Sequence, residues 1–462
     1  MNNFKKTINK NSSAITNLPG PYYNLSYAQE RLYKKYKADP LDTHSNKIYI
    51  QELKGDLDAR LLNKTLQTLI ERHELLRTNF IELDGLPKQV IHPLVKVSLK
   101  TIDLSNLIKS DKETQINKII RKEAERPFKL EKGNLFRFTL IKKSFDNYIF
   151  IPVMHHIIED KMTMIIFWKE LSLVYDAYLN NRANPLLPLS LQYRDYAKWD
   201  RSPAHIKKMI ENETYWLQKL SGHLPILDLP IDKPHKLNQG FNCTTEKIKI
   251  DTKTTKKIKK VCQDNGVTMF MLLFSAYNVF LFYLTNQSEI IVGTPATIRM
   301  DHWFKNIIGP IYTTLPIKTS LKNDLKFIDL LKQTKYSIIE ALAYTDIRID
   351  ILKEKINKNR TSNKQIDLFQ LMFQYYHKEG ERIDLPYLRS EPRRIFPKDI
   401  HHALHLFIGE EINSLDITFC YNINLFYKKS IKSYLKTFKS LLQLISKESN
   451  ITISKIKKLT SK

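Results

Sequence analysis

Apolar and polar positions along this chain switch between a period near 3.6 and a period of two, and the switches mark out elements. Asp58–Arg77 carries Leu61, Leu62, Leu66, Leu69, Ile70 and Leu76 at helical spacing, which predicts an amphipathic helix running into a strand near Phe80. Earlier, Ser26 followed three residues later by Gln29 has the form of a capping box and sets a helix start in Leu25–Tyr33. Ile48–Leu53, Phe136–Ile141 and the β-branched run Tyr148–Val153 read as strands, the last despite Pro152. Residues 112–126 suit a helix, and so does Met162–Leu179, with Ile165, Ile166, Trp168, Leu171, Leu173, Val174 and Tyr178 loosely on helical spacing. Asn184–Ser190 is a proline- and leucine-rich crossover. Leu224–Pro234 is extended, because residues before proline avoid the helical region.

A second series follows: a strand at Thr244–Ile250, a helix near Thr255–Asn265, a buried helix over 268–284 and a strand at Glu289–Gly293. Then come a helix around Lys326–Ala343, strands at Leu368–Tyr376 and Ile412–Tyr421, and a basic helix from Lys428. Strands and helices mix without strict βαβ alternation, so the predicted class is α+β, in two lobes of similar design. The expected division is a mobile basic arm over residues 1–20, a first lobe over 21–183 and a second over 184–462.

Composition narrows the class. At 462 residues, 42% of them hydrophobic, the chain is long enough for two or three packed cores. Cys243, Cys262 and Cys420 are scattered and read as free thiols in a reducing compartment. No apolar signal segment opens the chain, and the longest apolar run, Met269–Leu284, is short for a membrane span. The expectation is a soluble, cytoplasmic monomer with no membrane partner. The formal charge of +26 invites a nucleic-acid reading, but the lysines are spread over the whole chain and no zinc spacing or RNP-like aromatic string accompanies them. No nucleic-acid partner is expected. The ends are more pointed: residues 1–20 hold three lysines and no acid, and 428–462 hold ten lysines against Glu448. Such ends would steer an acidic macromolecule.

Candidate chemistry sits at Met154–Thr163, MHHIIEDKMT, where a strand hands over to a helix. A neutral imidazole there, with an ordinary pKa of about 6.5, can take a proton from an attacking nucleophile. Side chains alternate at a strand end, so His155 and His156 point opposite ways. Asp160 either fixes the turn for chemistry or is simply the N-cap of the next helix.

Several segments in order resemble the condensation domains of nonribosomal peptide synthetases, related in fold to chloramphenicol acetyltransferase. They are Ser26–Leu32 (SYAQERL), Arg72–Arg77 (RHELLR), His155–Asp160 against HHxxxDG, and Tyr193–Trp199 (YRDYAKW). Gly266–Phe270, Val292–Arg299 and Ile308–Pro316 continue the series. The resemblance implies two chloramphenicol-acetyltransferase-like lobes forming a V-shaped pseudo-dimer with a central tunnel. It implies attack of an amine, occasionally an alcohol, on an acyl- or peptidyl-carrier thioester. His156, with His155 beside it, would be catalytic as base or positioning group. Asp160 would be structural, salt-bridged to Arg299 across the lobes, which suits the need of a buried carboxylate for a bidentate partner. No metal or redox cofactor is implied; the phosphopantetheine arm comes on the partner carrier. With no adenylation or carrier segment in the sequence, the donor carrier is expected in trans, with a free amine or an aminoacyl carrier as acceptor and release of the chain as one form of the reaction.

Departures from the family pattern single out further residues. Lys161 replaces the motif glycine and Glu159 replaces a small or apolar residue, so both join Thr163, Tyr312 and Thr313 as tunnel or specificity positions. Lys161 in place of glycine fits an altered substrate, a compensated site or lost activity. The alternative readings are a non-catalytic module recruiting carriers or tailoring enzymes, and an ester-forming acyltransferase of the same superfamily. An epimerisation domain is disfavoured because its Glu-Gly-His-Gly-Arg-like motif is not evident. His401, His402 and His405 form HHxxH without acidic or cysteine companions and read as structural; His73 reads as packing a helix end.

Overall fold

A computed structural model describes residues 22–222, 224–234, 242–299, 302–358, 367–396 and 402–460. The arm expected over residues 1–20 and His401 lie outside the described residues. The chain forms two compact units. The first holds the residues up to Ile206 together with Arg299–Ile311 and Glu381–Ile395; the second holds Lys207–Ile298, Tyr312–Gly380 and Phe396 onward. The break therefore falls after Ile206 rather than 183, and two later stretches return to the first unit. Aromatic packing shows why: Phe304 packs on Tyr196 and Trp199, with ring centroids 5.2 and 5.0 Å apart, so the Tyr193–Trp199 segment and the 299–311 stretch share one core.

The first unit is built on β8 (Asn147–His155), which pairs with β7 (Phe136–Lys142) on one side and with β3 (Gln51–Gly55) and β2 (Asn46–Ile48) on the other. β13 (Leu388–Pro392) extends the sheet beyond β3, and β6 (Leu99–Asp103) joins β7 in parallel. Pro152 sits where the ladder is interrupted between β2 and β3, which suits a residue with no N–H to donate. Residues Phe150–Met154 are buried on both faces. Helix α4 (Lys161–Leu179) packs here through Phe167, stacked 6.0 Å from Phe138, and Trp168, edge-on to Phe150 at 6.1 Å. A small sheet, β1 (Tyr22–Asn24), β5 (Leu86–Ile91) and β4 (Thr78–Leu83), completes the strands of this unit. Its β4–β5 hairpin turns at Asp84-Gly85, both with positive φ (51° and 76°), the backbone that such pairs favour.

In the second unit six strands run in the order β11 (Tyr312–Ser320), β10 (Glu289–Thr297), β12 (Leu371–His377), β14 (Leu404–Glu411), β15 (Ser414–Asn422), β9 (Cys243–Ile250). Helix α8 (Met269–Thr285) is apolar all round because it is buried all round: Phe274, Tyr277 and Phe280 meet Phe373, Phe419 and Phe438. Among the described residues no single helix is long and apolar enough to cross a membrane; only α7 (Thr252–Asp264) and α8, bent by 106°, reach that length together. Helix α11 (Lys428–Lys447) buries Ile431, Leu435, Phe438, Leu442 and Ile445.

Four elements differ from expectation. The helix expected over Asp58–Arg77 ends at Arg72 as α2 (Ala59–Arg72), because His73 leaves helical geometry (φ −103°, ψ 106°) and Glu74–Arg77 forms a 3-10 turn. The strand expected at Ile412–Tyr421 is the second arm of a hairpin whose turn falls at Ile412. Helix α6 (Pro203–Lys219), whose Ile206, Met209, Ile210, Trp216 and Leu217 hold helical spacing, and strand β13 add to the elements predicted above.

Candidate active site

β8 ends at His155, and Asp160 begins α4. Asp160 is the N-cap: its Oδ1 accepts from Thr163 N–H (2.7 Å) and from the Thr163 hydroxyl (2.8 Å), while Thr163 Oγ1 accepts from Asp160 N–H (3.1 Å). It is also half of a buried ion pair. Arg299 donates to Asp160 Oδ2 at 2.5 Å and to Oδ1 at 3.2 Å, and Ile311 N–H donates to Oδ2 at 3.1 Å. Arg299 Nη2, which donates to Oδ1, also reaches the carbonyls of Ile307 (3.0 Å) and Gly309 (2.8 Å). Both alternatives for Asp160 thus hold at once: cap and structural anchor. Arg299 lies in the stretch that returns to the first unit, so the pair forms inside that unit. Such a carboxylate, surrounded by donors, holds the shape of the turn.

The two histidines are treated differently. His155 is 3% exposed, lies edge-on to Phe128, and accepts the Ile157 N–H on Nδ1 at 3.1 Å. Burial, aided by the charges of neighbouring His156 and Lys47, holds its pKa down at about 3, so it stays neutral. The His156 side chain is 20% exposed, and its Nδ1 faces two oxygens, the Glu159 carbonyl at 2.9 Å and Glu159 Oε1 at 3.0 Å. That nitrogen carries the proton, which leaves Nε2 as the accepting atom. Glu159 is 1% exposed, and its Oε2 accepts the Tyr49 hydroxyl at 2.6 Å. Burial and the Glu159 charge hold the Tyr49 hydroxyl well above its usual pKa, so it remains a donor.

Lys161 follows at the first turn of α4, with Nζ 3.9 Å from Glu381 Oε1; Arg394 approaches the same oxygen at 3.6 Å. Burial, reinforced by Arg394 and opposed by Glu381, lowers the Lys161 pKa to about 8. A motif glycine is thus replaced by a cation that shares an acid with a second cation.

The family model for the condensation domain matches residues 21–462. The chain belongs to the condensation-domain family. It is 32% identical over 442 residues to bacitracin synthase 3 of Bacillus licheniformis and 29% identical over 445 residues to tyrocidine synthase 3 of Brevibacillus parabrevis. Those alignments cover 95% and 96% of this chain but 7% of each relative, so the condensation domain here spans a small fraction of their length. Two solved structures share the fold. One is the starter condensation domain of rhizomide synthetase in complex with C8-CoA (TM-score 0.82, 16% identity, 96% and 98% of the two chains covered). The other is the X-domain from teicoplanin biosynthesis (TM-score 0.79, 21% identity, 95% and 98% covered). The α/β architecture of this chain is that of a condensation domain.

Motifs far apart in this condensation domain meet at one hydroxyl. Tyr193 Oη lies 2.8 Å from Ser26 Oγ and donates to the Pro310 carbonyl at 3.0 Å. Gly309 packs beneath that ring at φ +128°; a Cβ there would lie 2.2 Å from Tyr193 Cδ2. Gln29, from the capping box, donates to the Ile157 carbonyl at 3.3 Å, tying the first helix α1 (Tyr27–Ala38) to the histidine turn. His73 packs as expected, its Nε2 2.6 Å from Glu170 Oε2, with Arg72 Nε 3.0 Å from Oε1. Thr163 serves the turn rather than a cavity wall: its Oγ1 accepts the Gly309 N–H at 2.8 Å. Tyr312 and Thr313 open β11 in the second unit, where Thr313 is buried. His402 Nδ1 lies 2.5 Å from the Phe369 carbonyl and His405 stacks on Phe407. Among the described residues no three His, Cys, Asp or Glu side chains gather as metal ligands. Tyr49, Tyr193, Gly309 and Glu381 are site residues that sequence reasoning does not single out. Only Tyr193 and Gly309 lie inside segments whose spacing points to them.

Proposed function

We propose that this condensation domain forms an amide bond between an acyl or peptidyl group, held as a thioester on a carrier protein's phosphopantetheine arm, and an amine. The observation that carries this reading is the His156 imidazole: partly exposed, with Nδ1 facing two Glu159 oxygens, and standing on a turn held by the Asp160–Arg299 pair. In the reaction the amine nitrogen attacks the thioester carbonyl carbon. His156 Nε2 takes the proton that the nitrogen sheds and delivers it to the departing sulfur, so the C–N bond forms, the C–S bond breaks and a thiol leaves. His155 stays neutral and holds the turn; Asp160 and Arg299 keep its shape. Family membership supports the reaction class. The acceptor is a free amine, which would release the chain, or an aminoacyl group on a second carrier.

Intact-mass spectrometry of a loaded donor carrier, incubated with this chain and a panel of free amines and aminoacyl carriers, separates the two. A product with a free amine identifies a releasing reaction, and a product on a carrier identifies chain extension. No product with any acceptor would sink the catalytic reading.

Lys161 favours one rival, a non-catalytic module that recruits carriers or tailoring enzymes. The teicoplanin X-domain, which shares this fold, has been solved in complex with OxyB. Under that reading carriers bind with no turnover, and His156→Ala changes nothing.

A further inference from the structure

Glu159 is out of place by simple burial rules. A carboxylate 1% exposed in the turn between β8 and α4 needs partners, and it has two placed on opposite oxygens. Oε1 faces His156 Nδ1 at 3.0 Å, and Oε2 accepts the Tyr49 hydroxyl at 2.6 Å. Tyr49 is itself fixed, because its N–H donates to the Pro152 carbonyl at 2.9 Å in the gap between β2 and β3. The chain Tyr49–Glu159–His156 is therefore a relay of orientation from the central sheet to the imidazole. The Glu159 carbonyl already holds the Nδ1 proton at 2.9 Å. What the carboxylate adds is negative charge beside a ring that becomes cationic when it accepts a proton.

We propose that Glu159, braced by Tyr49, is a positioning residue for His156: it holds the Nδ1–H tautomer and stabilises the imidazolium formed at proton transfer. Glu159 stands where the resemblance leads to the expectation of a small or apolar residue. The proposal rests on the reading of His156 as the proton acceptor, but it makes claims about the imidazole that need no substrate.

Charged groups act on the neighbours of the ring from several elements: Lys47 on β2, with Lys35 and Asp42, on His155; Asp160 and Glu381 on Tyr49; Glu381 and Arg394 on Lys161. Glu159 acts on Lys47 as well as on Tyr49. Glu159→Gln keeps the side-chain shape and removes one charge.

The test is ¹⁵N NMR of the His156 imidazole in the substrate-free chain, together with kcat and KM of condensation. Wild type should show protonated Nδ1 and unprotonated Nε2 in the neutral ring. Glu159→Gln should move the tautomer balance toward Nε2–H, because the charge facing Nδ1 is gone. Turnover should fall about 10- to 100-fold with KM little changed, a part of the 10²–10⁴ a positioned base supplies. Tyr49→Phe should act in the same direction on kcat, by a smaller factor. An Nε2–H tautomer in wild type, which no folding defect can mimic, overturns the proposal; so does a Glu159→Gln chain with unchanged tautomer balance and kcat. If wild type makes no product at all, the proposed reaction fails while the NMR arm still decides the role of Glu159.

Discussion

Removing Arg299 tests the anchor beneath the histidine turn. In Arg299→Ala, Asp160 keeps three donors, namely Thr163 N–H, the Thr163 hydroxyl and Ile311 N–H, and loses its bidentate cation. The carbonyls of Ile307 and Gly309 lose their donor as well. Breaking a buried pair by deleting one partner costs about 3–5 kcal/mol, because the other charge is left without compensation. The retained donors put this case near the lower end, about 3 kcal/mol. In Asp160→Ala/Arg299→Ala neither charge remains, so the double variant should cost less than the sum of the singles by about 0.5–3 kcal/mol, the range for residues in one network. Guanidinium denaturation followed by tryptophan fluorescence in a Trp216→Phe background reads the first unit, which holds Trp168, Trp199 and Trp303. A loss below about 1 kcal/mol for Arg299→Ala, or strict additivity in the cycle, would refute the reasoning that Asp160 depends on this cation.

Other outcomes follow from the same geometry. Gly309→Ala must place a Cβ 2.2 Å from the Tyr193 ring at φ +128°, and should destabilise the first unit by more than about 3 kcal/mol in the same denaturation assay. His155 takes a proton near 6.5 when unfolded but only at about 3 when folded. Stability should therefore fall as pH drops from 6.5 toward 3, by about 1.4 kcal/mol per pH unit from this group, and His155→Gln should flatten that slope between pH 6 and 4.5. Lys161→Gly removes a cation whose pKa is about 8; if the lysine contacts an anionic substrate group, KM for that substrate should rise in competition mass spectrometry while neutral substrates are spared.

The elements with strong periodicity are legible in the sequence: the capping box of Ser26 and Gln29, the α2 stripe and the predominantly apolar α8 each report their own burial. The elements that fail to show are those whose stability comes from remote partners. β13 is five residues long and pairs with β3, more than 330 positions earlier, which no local pattern encodes. The end of α2 at Arg72 likewise depends on Glu170, 97 residues beyond His73. At the site, the histidine turn can be read from a strand–helix junction and Asp160 from its capping position. The Arg299 partner comes from family resemblance alone, since 139 residues separate the pair. Tyr49 gives no signal, because a tyrosine within the stretch read as the Ile48–Leu53 strand carries no spacing that ties it to Glu159.

The central claim, that His156 carries the proton in amide formation, is tested most directly by single-turnover discharge of a donor thioester, wild type beside His156→Ala, with carrier binding measured on the same preparations. The account predicts equal carrier affinity and a rate lower by about 10²–10⁴ in the variant, the contribution of a positioned general base. Equal rates of amide formation in the two proteins would contradict it.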